Sequence, residues 1–135
     1  MIGLPHTYRF TIYNSTGVSI ATAGAKVYAR RRKIASADGQ LSFESAETTA
    51  YSNAGSVATA SYDVGATISN ATDKYLSGDF VFEVVTTGSP LGDVYLHLER
   101  ATDGGSTHWP DAGLSAVVAK LGFTTAGTKR IDFSI

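Results

Sequence analysis

The chain contains no cysteine, one methionine, one tryptophan and three prolines in 135 residues. Without cysteine there is no disulfide framework, no thiolate nucleophile and no cysteine-ligated zinc, and cysteine usage leaves the compartment open. An excess of one charge is lacking too: 11 basic and 12 acidic residues give a formal net charge of -1. That balance excludes the strong basic field that sequence-independent nucleic-acid binding requires. No apolar run approaches the roughly 18 residues of a membrane span, and Met1 to His6 shows no basic region leading into an apolar core. The expected chain is therefore soluble, without a secretion signal, and without nucleic acid or membrane among its partners. Chemical signatures are equally scarce. No glycine-rich phosphate loop opens a helix, no Gly-x-Ser-x-Gly elbow occurs, and no nucleophile comes with an evident base. No enzyme activity, cofactor, catalytic residue or metal ligand is expected.

What the chain does have is alternation. Hydrophobic residues make up 43% of it and glycines number 14, and the length suits one domain spanning residues 1–135, large enough to bury about two thirds of its unfolded surface. Tyr8, Phe10 and Ile12 alternate with Thr7, Arg9 and Thr11, the period-2 pattern of a strand with one buried face. Asn14 to Gly17 reads as a turn, Val18 to Thr22 as a short strand, Lys26 to Ile34 as a longer one, and Asp38-Gly39 as a tight turn before Gln40 to Phe43. Glu44 to Gly55 has no clear period and reads as an excursion loop with room for one helical turn. Ala58, Ala60, Tyr62 and Val64 form the apolar phase of a further strand, continued over Ala66 to Ser69 past a bulge at Gly65. Phe80, Phe82 and Val84 share one face of a strand, Val94, Leu96 and Leu98 share one face of the next, and Gly88 to Gly92 between them reads as a hairpin connection. Val117, Ala119, Leu121 and Phe123 alternate as a strand, although Leu114, Val117, Val118 and Leu121 also fit helical spacing. Ile131, Phe133 and Ile135 alternate to the last residue. Eight or nine short strands without a long amphipathic helix predict an all-β fold: a single antiparallel β-sandwich, jelly-roll-like, with an immunoglobulin-like sandwich as the alternative.

Few side chains invite a functional role. Arg30-Arg31-Arg32-Lys33 is the only charge run, and strand geometry sends Arg30 and Arg32 to one face and Arg31 and Lys33 to the other. The choice lies between an edge strand protected by charge and a docking contact with an acidic subunit, with phosphate binding third. His97 and Glu99, out of phase with Leu96 and Leu98, read as a solvent-facing polar pair, and His6, His97 and His108 show no metal-ligand spacing. Asp79, Glu83, Asp93 and Glu99 lie on neighbouring strands, but nothing selects two of them as a glycosidase-like pair. The sequons at Asn14 and Asn70 read as chance matches in a threonine-rich chain. Trp109 is either core or a surface contact, which makes Arg30, Arg32 and Trp109 the candidate partner-contact residues.

Two stretches carry resemblances. Ala101 to Trp109, with Asp103, Gly105 and Thr107, resembles the Asp box, a turn signature in which the aspartate caps backbone N–H groups and an aromatic packs beneath. Here Ala101 replaces the first hydroxyl and His108 displaces Trp109 by one position, which argues against a sialidase-like enzyme. Asn70 to Phe80, then Gly92-Asp-Val94-Tyr-Leu96, the Thr102 to Gly105 loop and a final strand pair resemble small virion structural proteins of tailed bacteriophages. That resemblance implies a non-enzymatic subunit of the tail, baseplate or capsid surface, assembled in the host cytoplasm and located in the virion. Its partners would be copies of itself, as a trimer or other cyclic oligomer, and other virion proteins, with Ala58-Thr-Ala60 or the loop around Trp109 at contacts. A rival reading is a carbohydrate-binding β-sandwich that stacks a surface glycan on Tyr75, Tyr95 and Trp109.

Overall fold

A computed structural model describes residues 4–34, 39–101 and 116–135. Ten strands and no helix occur among them: β1 Thr7–Asn14, β2 Ala25–Ile34, β3 Leu41–Phe43, β4 Thr48–Ser52, β5 Ser61–Val64, β6 Ile68–Ser69, β7 Ser77–Thr86, β8 Gly92–Ala101, β9 Ala116–Phe123 and β10 Gly127–Ser134. They form two antiparallel sheets. The first has the order β5-β1-β8-β9, with β6 also paired to β1, and the second the order β10-β7-β2-β3, with β4 also paired to β2. The sheets pack face to face, as the all-β sandwich expectation requires. The alternating residues of β1, β2, β7, β8 and β9 fill the space between them, with Phe10, Ile12, Val27, Phe82, Val84 and Leu96 fully buried. Across the middle, Phe10 of the first sheet meets Phe80 and Phe133 of the second with ring centroids 5.7 and 6.4 Å away, and Phe80 and Phe133 stack at 5.2 Å. Each such ring contributes on the order of 1.5–3 kcal/mol by leaving water.

The pairing departs from the expected hairpin between β7 and β8. β7 pairs with β2 and β10, whereas β8 pairs with β1 and β9, so the connection through Gly88 is an arch between the sheets. Both strands show the same alternation because each faces the same core from opposite sides. The arch is locked against the β1–β2 crossover by three backbone bonds, Val85 N–H to Gly24 O, Leu91 N–H to Thr16 O and Ser15 N–H to Asp93 O, at 2.8, 2.8 and 2.9 Å. Gly92 lies at φ +143°, and a Cβ there would run into the Ser15 carbonyl. The final strands are likewise not a hairpin, since β9 lies in the first sheet and β10 in the second. By contrast β8 and β9 do pair antiparallel, so the segment carrying the Asp-box resemblance joins two strands of a hairpin. Asp103 and Trp109 themselves lie outside the described residues.

Three further expectations change. Val18 to Thr22 contributes only a single bridge, Ile20 to Val57. The expected loop from Glu44 to Gly55 contains β4, which shows no period because Tyr51 alone is fully drawn into the core. In β5 the phase is inverted: Tyr62 and Val64 point outward, 45% and 47% exposed, while Asp63 accepts a 2.5 Å hydrogen bond from the Tyr51 hydroxyl. The strand also starts later than its pattern, because Ala60 takes φ +58° in a turn. Gly65 does interrupt it as anticipated. The Gly65 N–H bonds Phe10 O at 2.8 Å, and β6 resumes pairing with β1 beyond it.

Candidate functional site

The outward face of the first sheet gathers side chains in cross-strand ranks. Tyr13 is directly opposite Tyr62 on one side and Tyr95 on the other, and Tyr95 is opposite Lys120. The ring centroids are 4.6 Å apart for Tyr13–Tyr62 and 6.3 Å for Tyr13–Tyr95, with interplanar angles of 39° and 33°. The Tyr95 hydroxyl lies 3.3 Å from the Asp93 carboxylate. In the next rank Thr11 sits between Val64 and His97, and Tyr62 reaches diagonally to the His97 ring at 6.2 Å. Beyond it, Arg9 is opposite Glu99. Cross-strand neighbours on one face are close enough for such aromatic and polar contacts, and register alone therefore assembles the face.

Here the expected solvent-facing pair is corrected. His97 and Glu99 do point away from the core, but Glu99 is fully buried and His97 is 7% exposed. The neighbouring strand supplies the reason: Arg9 approaches the Glu99 carboxylate through Nε and Nη2 at 3.3 and 3.5 Å, and the Thr11 hydroxyl donates to it as well. A buried carboxylate is tolerated when charge and hydrogen bonds compensate it. No cluster of three or more His, Asp or Glu able to hold a metal occurs among the described residues.

The charge run is not an edge. β2 is flanked by β7 on one side and by β3 and β4 on the other. Glu44 fills the break between β3 and β4, where its carboxylate accepts the Arg31 N–H at 2.6 Å and the Arg31 guanidinium at 2.7 and 3.1 Å. Arg31 also donates to the Tyr8 hydroxyl at 3.2 Å and lies 4.4 Å over the Tyr75 ring, with Lys33 5.4 Å from the same ring. Burial pushes the Glu44 carboxyl up, but the hydrogen bonds from Arg31 outweigh it and hold the pKa below its ordinary value. Burial raises the pKa of Tyr8 and of Tyr51, in the latter case reinforced by Asp63.

Arg30 and Arg32 share the outward face of the second sheet, as their spacing predicts. Arg32 donates to Ser77 Oγ at 2.7 Å and pairs with Asp79 at 2.9 Å, whereas Arg30 is exposed and donates from Nε to the Glu44 carbonyl at 2.9 Å. Beside them on this face stand Ile34, Leu41 and Phe43, 48%, 57% and 51% exposed, with Leu41 opposite Ile34 and Phe43 opposite Arg32. Trp109, the third candidate contact, lies outside the described residues. Of the proposed glycan-stacking residues, Tyr75 has its ring beneath two cations and Tyr95 belongs to the tyrosine rank.

The four strand carboxylates do not converge. Asp79 and Glu83 lie on the outer face of the second sheet, where Asp79 also accepts from Ser134 Oγ and Glu83 pairs with Arg130. Asp93 and Glu99 lie on the outer face of the first. Within each strand the spacing of four or six residues amounts to roughly 13–20 Å, beyond the approximately 5–9.5 Å of glycosidase pairs. Both sequon amides are committed internally: Asn14 Nδ2 donates to Val18 O and Val57 O at 2.8 and 2.9 Å, and Asn70 Nδ2 to Pro5 O and Tyr75 O at 3.3 and 2.8 Å.

No helix among the described residues is long and apolar enough to cross a membrane. The fold defines the chain as an antiparallel β-sandwich protein. Comparison with family models, curated proteins and solved structures returns no match.

Proposed function

We propose that the chain is a non-enzymatic structural subunit of a tailed-bacteriophage virion, placed in the tail, the baseplate or the capsid surface, and working by self-association and docking on neighbouring subunits. The observation that carries this reading is the patch of Ile34, Leu41 and Phe43 beside Arg30 and Arg32. Exposed aliphatic and aromatic groups next to arginine form the composition that interface cores favour. Arg30 is exposed on this face and offers a cation to an acidic rim on the partner. The occupant assigned to the patch is a second copy of this chain, in a closed ring of the kind virion subunits form by burying area symmetrically. Sedimentation velocity across a concentration series tests this. The wild type is expected to form a discrete cyclic oligomer, and Phe43→Asp to remain monomeric while keeping its far-ultraviolet β spectrum. A monomeric wild type at tens of micromolar, or an oligomer indifferent to Phe43→Asp, contradicts self-association through this patch.

A further inference from the structure

We infer that the tyrosine rank on the first sheet is a binding site for a neutral oligosaccharide, a role independent of the virion reading. Three adjacent strands each contribute one ring, in register, so that Tyr62, Tyr13 and Tyr95 line up across the sheet and Lys120 ends the row. The centroid spacings of 4.6 and 6.3 Å, with interplanar angles of 39° and 33°, show the rings packed against one another as one contiguous aromatic surface. Tyr62 is 45% exposed, and Tyr13 and Tyr95 are half-buried, which leaves ring surface for a ligand and holds the side chains in place. A pyranose presents an axial C–H face that packs on an aromatic ring and a rim of equatorial hydroxyls that needs donors and acceptors. Both requirements are met here. The rings supply an amphipathic surface with polar tips, and Asp93 and Lys120 at the Tyr95 end supply an acceptor and a donor. Because the strands hold the rings from rigid backbone, little side-chain freedom is lost on binding.

The competing occupants fit less well. A nucleic acid would also stack on tyrosines, but it needs a positive groove tracking its backbone, and this end of the face offers Lys120 next to Asp93. A protein partner would be served by the more apolar patch on the opposite sheet, where Ile34, Leu41 and Phe43 are exposed beside arginine.

The test is a microarray of defined neutral glucans, galactans and N-acetylhexosamine oligomers probed with the full chain, followed by titration calorimetry of the strongest hit. Binding of at least one class is expected, and Tyr62→Ala should weaken it about tenfold or more, as truncation of an aromatic anchor does. Tyr28→Ala, on the outer face of the second sheet, should leave affinity unchanged. Amide chemical-shift changes in the wild type on adding the same oligosaccharide should centre on Tyr13, Tyr62 and Tyr95, which keeps the test decisive if a variant fails to fold. No binding by the wild type, or binding that Tyr62→Ala leaves intact or whose shifts map elsewhere, overturns the site. Either result leaves the sedimentation of the chain, and so the docking reading, to be judged separately.

Discussion

Single polar residues hold the ends of this sandwich. Asn53, 1% exposed, accepts the Ala25 N–H at 2.9 Å and donates to Ala21 O and Gly55 O, both at 2.8 Å. Asn14 and Asn70 act in the same way, each joining segments distant in sequence, and no buried side-chain polar atom among the described residues lacks a partner. Such satisfied groups contribute modestly while intact and cost much when one partner is deleted. Glu44 is the titratable member of this set. Its folded pKa lies below the unfolded value, so the stability it contributes is complete above an unfolded glutamate's pKa of about 4.3 and is lost as pH falls through the folded value. Denaturant unfolding of wild type and Glu44→Gln from pH 7 to pH 3 checks the sign: the wild type is expected to be more stable at pH 7, with the difference shrinking below about pH 4.3. A difference that grows on acidification contradicts the assigned pairing with Arg31.

At the scale of elements, β1, β7 and β8 are legible in the sequence because one face of each is buried along most of its length, and alternation reports burial directly. Partner choice is a different quantity. Phe80 to Val84 and Val94 to Leu98 carry one pattern, yet they belong to opposite sheets, and nothing in the alternation distinguishes a hairpin from an arch. β4 escapes detection because Tyr51 is its one fully buried side chain, and β5 is inverted because Tyr62 and Val64 join an outward aromatic face while Asp63 turns inward to Tyr51. The tyrosine rank is invisible for the same reason, since it exists only through the register of three strands. Spacing alone puts Arg30 and Arg32 on one face, whereas the burial of Glu99 depends on Arg9, 90 residues away in sequence. The turn into β5 supplies a test at this scale. Ala60 lies at φ +58°, where an L-residue costs roughly 1–2 kcal/mol that glycine avoids, offset in part by glycine's extra unfolded entropy. Ala60→Gly is therefore expected to raise unfolding stability by about 0.5–1 kcal/mol in urea, and a loss of similar size would contradict the turn geometry.

For the whole molecule, the two sheets divide the surface into two unlike faces. The second sheet presents an apolar patch beside arginine, suited to a neighbouring subunit. The first presents a ranked tyrosine row, the face proposed for the oligosaccharide, with the partly exposed Arg9 paired to buried Glu99 beside it. The core between them is continuous across both sheets through Phe10, Phe80 and Phe133. Quantitative mass spectrometry of density-purified phage particles whose genome carries this sequence tests the proposed membership in a virion. Peptides of this chain are expected in the particle fraction at a fixed stoichiometry to the major capsid protein, retained through successive gradients. Peptides confined to the soluble lysate, with none sedimenting with particles, would contradict it.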